Sequence, residues 1–225
     1  MEVCFLMDRF GYMKLIDKNA YERNKEAVHN ENKYVFNCMN TDKICIFTDT
    51  GKMHTIKAVD IPLGRFRDKG TPVDNLSNYD SSQERMLYVA PVGQLRSDRL
   101  LFVTKTSMCK LVEGAEFDVA KRTIASTKLA DEDELIFIGS ASEMEQIVLQ
   151  SHGGCFLRFL TQEVSTMKKT ALGVRGMKLA DDDYLEHAYL LAGHQEYTIS
   201  YHDKEYALNK VRLAKRDTKG IKPRI

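Results

Sequence analysis

An apolar run that meets a tight turn and continues as a second apolar run recurs five times along this chain. The two clearest copies, 44–54 and 100–110, superimpose without a gap, and further copies begin at Phe5, Val148 and Thr198. Their turns, at 11, 51, 107, 153 and 204, lie 40 to 56 residues apart. Periods of about 40 to 50 residues, each holding several short strands, are typical of propeller blades. The repeat therefore predicts an all-β, propeller-like disc of about five four-stranded blades.

The repeat also predicts the domain organisation. We expect one domain over the 225 residues, with blades at 1–42, 43–98, 99–145, 146–195 and 196–225. The fifth copy is degraded, and its turn lacks a glycine, so we expect approximate closure against the first blade with a distorted seam. An open or spiral disc remains an alternative. The segment from Asp17 to Val28 has helix formers without a regular apolar stripe, and we predict a loop or one short helix there.

Glycines recur at the turns, as expected where a hairpin needs a positive φ. Ser107 and Lys204 replace glycine in two copies and predict less regular turns. Two further glycines in segment 170–179 are predicted to lie at a turn or at a close approach of strands. The predicted structural glycines are Gly11, Gly51, Gly153, Gly173 and Gly176.

Composition excludes several classes of protein. No apolar stretch approaches the ~18 residues of a membrane helix, and no signal-peptide pattern is present, so we expect a soluble, cytoplasmic protein. The five cysteines are odd in number and scattered, which favours reduced, buried thiols. His187 and His194 lack a third ligand, and no CxxC pair occurs, so we predict no metal site. We also find no phosphate-binding glycine loop or nucleophile motif.

After each hairpin comes a loop rich in Lys and Arg, and these loops are the candidate site. The whole-chain charge of +1 conceals them, since 33 basic and 32 acidic residues are segregated along the chain. A single charged loop is as readily a solvated face, but recurrence at one phase of the repeat favours a phosphate-binding rim. The predicted DNA-binding residues are Arg65, Arg67, Lys69, Lys121, Arg122, Lys168, Lys169, Arg175, Lys178, Lys215, Arg216, Lys219 and Lys222.

Segment 170–179, Thr-Ala-Leu-Gly-Val-Arg-Gly-Met-Lys-Leu, followed by three aspartates at 181–183, carries a resemblance to a known family. It resembles the blade signature of the carboxy-terminal domain of bacterial type IIA topoisomerase A subunits, as do segments 47–53 and 103–106. The resemblance implies a β-pinwheel, whose blades exchange strands and whose basic outer edge binds and bends duplex DNA. It also implies a nucleoid-associated parent enzyme with a cleavage domain, an ATPase B subunit, and a requirement for ATP and magnesium. No cofactor is expected in this domain.

Two departures refine the resemblance. DNA gyrase A subunits carry a Gln-Arg-Arg-Gly-Gly-Lys-Gly box in the first blade for chiral wrapping. Residues 21–27 of this chain contain no glycine, and they include both acidic and basic side chains. The resemblance therefore leans towards topoisomerase IV, with a divergent gyrase as the other choice. The family's catalytic tyrosine follows an arginine, and this chain has no Arg-Tyr pair. We expect a non-catalytic accessory domain.

Two other functions stay open at this stage. A propeller that binds an acidic protein would carry the same cationic loops. An enzyme in its own right has no motif to support it. Steep salt dependence and a preference for longer DNA would favour the DNA-binding interpretation.

Overall fold

The computed structural model describes residues 1–224 and consists mainly of short antiparallel strands arranged in five repeats. The first repeat contains β1 (Glu2–Met7), β2 (Tyr12–Ile16), α1 (Lys18–Arg23), α2 (Lys25–Glu31) and β3 (Tyr34–Met39). The second contains β4 (Lys43–Thr48), β5 (Lys52–Lys57), a 3₁₀ turn (Ala58–Asp60), β6 (Thr71–Pro72), α3 (Val73–Leu76), β7 (Met86–Pro91) and α4 (Val92–Leu95).

The remaining repeats follow the same plan. The third contains β8 (Arg99–Thr104), β9 (Met108–Glu113), a 3₁₀ turn (Gly114–Phe117), β10 (Thr123–Ala125) and β11 (Leu135–Ser140). The fourth contains β12 (Gln146–Ser151), β13 (Phe156–Leu160), a 3₁₀ turn (Thr161–Glu163), β14 (Val174–Arg175) and β15 (Leu185–Leu191). The fifth contains β16 (Thr198–Tyr201), β17 (Lys204–Ala207) and a 3₁₀ turn (Leu208–Lys210).

Each of the first three sheets borrows its last strand from the following repeat. The orders are β3-β1-β2-β6 in sheet 1, β7-β4-β5-β10 in sheet 2, β11-β8-β9-β14 in sheet 3, β15-β12-β13 in sheet 4 and β16-β17 in sheet 5. In sheet 4 the borrowed position is held by Ile221, which exchanges two backbone hydrogen bonds with Phe156 at 2.7 and 2.9 Å. The predicted all-β, strand-exchanging fold is confirmed, although only three of the sheets within residues 1–224 reach four strands.

The sheets pack face to face, and this packing explains the uninterrupted apolar runs of the hairpins. Successive side chains of a strand point to opposite faces. In β4, Ile44 and Ile46 pack against sheet 1, while Cys45 and Phe47 pack against sheet 3, and all four are fully buried. Because both faces are covered, the strands show continuous hydrophobicity and not alternation.

The prediction for the segment after β2 was wrong, because two short helices form there. Asp17 caps α1 by accepting a hydrogen bond from the Ala20 N–H at 2.7 Å. Val28 of α2 is fully buried against Cys4 and Leu6, on the face of sheet 1 that sheet 2 leaves uncovered. A single fully buried apolar residue does not produce a visible stripe in the sequence. No described helix is long and apolar enough to cross a membrane.

The two ends of the array are not joined by strand pairing. Within residues 1–224, no hydrogen bond or ion pair connects residues 1–42 with residues 196–224. Approximate closure of the disc therefore stays a prediction, and any seam depends on contacts other than backbone pairing.

The hairpin turns use the left-handed conformation, with one displacement from the prediction. Gly11 and Gly51 have φ values of +82° and +77°, and Ser107 adopts +75° at the equivalent position. In the fourth hairpin the positive φ of +86° belongs to Gly154 and not to the predicted Gly153. All four turns join strand residues that are six positions apart, from the Met7–Met13 pair to the Gln150–Phe156 pair, so Gly154 and not Gly153 is the residue equivalent to Gly11 and Gly51.

Candidate nucleic-acid interface

The basic loops lie at one common edge of the disc. The strands β3, β7, β11 and β15 contact one another in succession, so they form the inner side of the sheets. On the other side of each hairpin, next to the borrowed position, lie β2, β5, β9 and β13, which we call the outer strands. We define edge loops 1 to 4 as residues 63–70, 119–123, 166–173 and 213–220. Each runs beside one of these four outer strands, immediately before the chain enters the borrowed position.

Three of the edge loops have the same backbone geometry. Loops 1, 3 and 4 each begin with a parallel bridge to the outer strand, and loop 2 is shorter. The next residue then donates its N–H to a strand carbonyl. These bonds are Gly64 to Leu15 at 2.9 Å, Met167 to Leu111 at 2.8 Å and Ala214 to Arg158 at 2.8 Å. The repeat thus builds one loop conformation three times.

A glycine in an unusual conformation closes each of these three loops. Gly70, Gly173 and Gly220 have φ values of +86°, +109° and +71°. A Cβ on any of them would lie 2.6 Å from a carbonyl oxygen of the adjacent outer strand. Gly176 is constrained differently: its φ is not left-handed, but a Cβ would lie 2.6 Å from Leu149 Cδ1.

Replacing Gly173 by alanine is expected to lower the free energy of unfolding by about 1–3 kcal/mol, the usual cost of an unfavourable backbone conformation. The contact with the Cys109 carbonyl would add to this loss, because backbone atoms cannot move aside. Gly64→Ala is the matched control, since a Cβ there would meet only the Asp68 side chain. Equal losses in urea unfolding of both variants would contradict the assignment.

Two lysines of the outer strands bind edge loops 1 and 3 from beneath. Lys110 of β9 donates from Nζ to the carbonyl oxygens of Lys169 at 2.8 Å and Ala171 at 2.6 Å. Lys14 of β2 makes the same pair of bonds to Phe66 and Asp68. Lys110 is only 1% exposed, and burial lowers the pKa of its ammonium to about 8.

The lowered pKa of Lys110 predicts a pH effect on stability. Between pH 8 and 10.5 the unfolded chain keeps a proton that the folded Lys110 releases, so this residue makes the free energy of unfolding rise with pH in that window. Burial raises the pKa of Cys45 and Tyr34, and these residues therefore make the free energy of unfolding fall with pH. The contribution of Lys110 is measured as the difference between the pH profiles of the wild-type protein and Lys110→Met. Parallel pH profiles of the two proteins would contradict the prediction.

The candidate basic side chains fall into two groups. Eight make no side-chain hydrogen bond or ion pair with the described part of the protein, and all eight are exposed. These free side chains are Arg67, Lys69, Lys121, Lys168, Lys178, Lys215, Lys219 and Lys222. They are positioned to meet an external anion, and they occur along all four edge loops or directly after them.

The other five candidates have partners within the protein. Arg65 pairs with Asp68 at 3.5 Å, and Lys169 pairs with Glu116 at 3.9 Å. Arg122 donates to the Leu76 carbonyl at 3.1 Å. A separate pair of bonds runs from Arg216 to the carbonyls of Glu163 and Arg175, at 2.9 and 2.6 Å.

Arg175 was predicted as a phosphate ligand, and the structure gives its guanidinium an ion pair with Asp217. The aspartates at 181–183, which are nearer in the sequence, make no hydrogen bond or ion pair with it. The hydrogen bond and the charge of Arg175 lower the pKa of the Asp217 carboxyl. Of the two cations of this motif, Lys178 is therefore the free one.

The segment that follows each of edge loops 1 to 3 is hydrogen-bonded to the next edge loop, so the rim is continuous. The Asn78 side chain donates to Thr123 at 2.9 Å, which connects the segment after loop 1 with loop 2. The Lys128 N–H donates to the Lys169 carbonyl at 3.1 Å, and the Lys178 N–H to the Thr218 carbonyl at 2.9 Å. These bonds fix the spacing between the cationic groups of successive blades.

The sequence analysis missed Lys128, although a signal for it exists. Lys-Leu-Ala-Asp occurs at both 128–131 and 178–181. The two copies are structurally equivalent: two residues before each lysine, an N–H donates to a hairpin carbonyl, from Ser126 to Gly51 at 2.8 Å and from Gly176 to Ser107 at 2.7 Å. Lys128 is exposed and belongs to the same rim as Lys178.

Other chemistries have little support in the described residues. No group of three or more His, Cys, Asp or Glu side chains within residues 1–224 could hold a metal ion. Asp183 instead accepts hydrogen bonds from the N–H groups of Gly153 and Tyr184, at 2.8 and 2.9 Å, and so orders the turn beside it. All five cysteines are free thiols, and four are buried.

Comparison with known proteins places the fold in context. A family model described as the DNA gyrase C-terminal domain, a beta-propeller, matches residues 42–81, 98–142 and 145–192, which together make up more than half of the chain. The gyrase A protein of Ureaplasma parvum serovar 3 is 25% identical over 236 residues, which cover 98% of this chain and 28% of the relative. The chain thus spans less than a third of that relative's length.

Solved structures show the same architecture. The C-terminal domain of DNA topoisomerase IV superimposes with a TM-score of 0.85 at 22% identity, covering 98% of this chain and 72% of the other. The E. coli ParC C-terminal domain gives a TM-score of 0.76 at 13% identity, with coverage of 99% and 94%. At these identities the likeness is one of fold.

Proposed function

Because this chain belongs to the DNA gyrase C-terminal domain family of β-propellers, we propose that it binds duplex DNA along the rim of edge loops and bends it. The observation that carries the proposal is the continuous rim, on which eight basic side chains make no hydrogen bond or ion pair within residues 1–224. Contacts of this kind go to phosphates and hold the DNA in place without reading its sequence. No described element is a long helix that could enter the major groove.

Bending sets a requirement on the number of contacts. A bend of 40–90° over 20–30 base pairs costs on the order of 1 to 6 kcal/mol. One lysine–phosphate contact does not offset this cost, so several edge loops must bind the same duplex. The hydrogen bonds that connect each edge loop with the segment following the preceding loop support such joint binding, because the cationic groups need no rearrangement when DNA arrives.

In the full-length enzyme, this domain would present a DNA segment for strand passage. Cleavage would belong to a separate domain of the same polypeptide, and ATP hydrolysis to a B subunit. Neither ATP nor magnesium would be needed by the domain itself. The proposal places the enzyme in the bacterial cytoplasm, on the nucleoid.

The first repeat bears on the kind of topoisomerase. Residues 18–31 form helices α1 and α2 where the resemblance would place the glycine-rich wrapping box of gyrase. Val28 is buried beneath them, so this segment serves as a cover for sheet 1. We infer bending without chiral wrapping, as in a topoisomerase IV-like enzyme, and a divergent gyrase would instead introduce supercoils.

Binding to duplexes of different length tests the proposed function. Affinity at constant salt should increase from about 10 to about 30 base pairs, as the duplex comes to reach several loops, and should not depend on sequence. End-to-end energy transfer on the longer duplex should report bending. Tight binding to polyglutamate with no binding to DNA would overturn the proposal and favour a propeller that binds acidic proteins.

A further inference from the structure

One position in the outer strands contacts the edge loop in each of the first three sheets. It directly follows Met13, Met53, Cys109 and Phe156 in sheets 1 to 4, each of which pairs with the borrowed position, and in sheet 2 His54 itself also pairs with Thr123 of the borrowed strand. The position holds Lys14, His54, Lys110 and Leu157. Equivalent backbone sites in four sheets therefore carry two lysines, a histidine and a leucine.

The two lysines act on their loops in the same way. In each case Nζ donates to two carbonyl oxygens that are two residues apart: Phe66 and Asp68 for Lys14, and Lys169 and Ala171 for Lys110. Carbonyl groups that point inward to a shared ammonium turn the intervening residue and its neighbours outward. The free cation Arg67 lies between the two carbonyl-bearing residues of loop 1, and the free cation Lys168 directly precedes the first of them in loop 3.

Neither ammonium has a carboxylate partner within ion-pair distance among the described residues. A buried charge without such a partner is costly, and hydrogen bonds to carbonyl dipoles offset only part of that cost. For packing alone, an apolar residue would serve, as Leu157 does at the same position in sheet 4. The lysines must therefore contribute through their bonds to the loop.

His54 supports the same interpretation in sheet 2. Its Nδ1 lies 2.9 Å from Thr123 Oγ1, at the end of edge loop 2, and its Nε2 lies 2.7 Å from Glu84 Oε2. Here too, a buried polar side chain of the outer strand contacts the segment that carries rim cations, in this case Lys121 and Arg122. Loop 4 lacks such a side chain and is instead held by Arg216 and by the Lys178 N–H.

We propose that Lys14 and Lys110 are positioning residues for DNA binding, each of which holds an edge loop in the conformation that presents its free cations to phosphates. The inference rests on the proposed function and deepens it. It assigns the two lysines to the binding apparatus although neither touches the ligand.

A double-mutant cycle tests the role of Lys110. Lys110→Met keeps the length of the side chain and removes its donors, and Lys168→Ala removes a free cation from the same loop. In the wild-type background, Lys168→Ala should weaken binding about eightfold near 0.1 M salt, the share of one phosphate contact. In the Lys110→Met background the same substitution should cost less than about twofold, because a displaced loop no longer places Lys168 at a phosphate.

The matched control lies in sheet 4. Leu157→Met, combined with Lys215→Ala, should show independent effects, since no ammonium at position 157 holds loop 4. Limited trypsin digestion gives a second measurement, in which Lys110→Met should speed cleavage after Lys168 or Lys169 and leave cleavage after Lys215 unchanged.

The outcomes separate the two proposals. Equal costs of Lys168→Ala in both backgrounds, with salt-dependent binding retained, would overturn the positioning role and leave the proposed function standing. Absence of DNA binding by the wild-type domain would overturn both. If Lys110→Met does not fold, Lys14→Met with Arg67→Ala provides the same cycle in loop 1, where the lysine is only half-buried.

Discussion

The affinity of the domain for duplex DNA is expected to fall by about 10³ to 10⁵ between 50 and 200 mM salt, the range for ~6 to 10 phosphate contacts. The eight free basic side chains of the rim fall within this number of contacts, and Lys128 adds one more. Each bound phosphate releases condensed counterions, so the logarithm of the binding constant should be linear in the logarithm of salt concentration.

Fluorescence anisotropy with one labelled duplex at several salt concentrations would measure the slope. Replacing chloride by glutamate at constant cation concentration controls for anion binding to the protein. A flat response would exclude a rim that follows phosphates, and a slope near 1 would indicate about one phosphate contact, too few for several loops to bind together.

Removing one free cation from each of the four edge loops should have the second-largest effect. The fourfold variant Arg67→Ala, Lys121→Ala, Lys168→Ala and Lys215→Ala is expected to reduce the salt slope by about 3 to 4 and the affinity near 0.1 M salt by about 10³. Its melting temperature should barely change, because these side chains bond to nothing in the described protein.

A matched variant removes the same charge from exposed positions outside the edge loops. Its substitutions are Arg9→Ala, Lys18→Ala, Lys25→Ala and Lys204→Ala. This control should keep most of the affinity, since net charge changes equally in both variants while only one loses cations of the rim. Equal losses in the two variants would show that binding follows net charge and would contradict the assignment of the rim.

The glycines show both the reach and the limit of sequence reasoning. Gly11 and Gly51 were predicted to have positive φ because a hairpin turn between two apolar runs needs it, and both do. The fourth turn was predicted at Gly153, but the left-handed residue is Gly154, which holds the position equivalent to Gly11 and Gly51. Two adjacent glycines are equivalent in sequence, and only the register of β12 with β13 distinguishes them.

The helices α1 and α2 were not predicted as such, for a related reason. Their stability comes from packing Val28 on Cys4 and Leu6. The need for a cover arises because sheet 2 packs on only one face of sheet 1, a fact of tertiary arrangement. Helix propensity identified the helix-forming residues of this segment. It did not predict that the segment packs on sheet 1.

By itself, the sequence determined the repeat, the strand-rich blades and the recurrence of basic loops. Strand pairing and burial on both faces impose a short-range pattern of apolar residues that can be recognised without a structure. The tertiary structure alone decided which cations are free. The Arg175–Asp217 pair joins residues 42 positions apart, and the bonds from Lys110 to loop 3 span 59 and 61. Partners at such separations are brought together by strand exchange between blades, so no local pattern distinguishes a phosphate ligand from an internal ion pair.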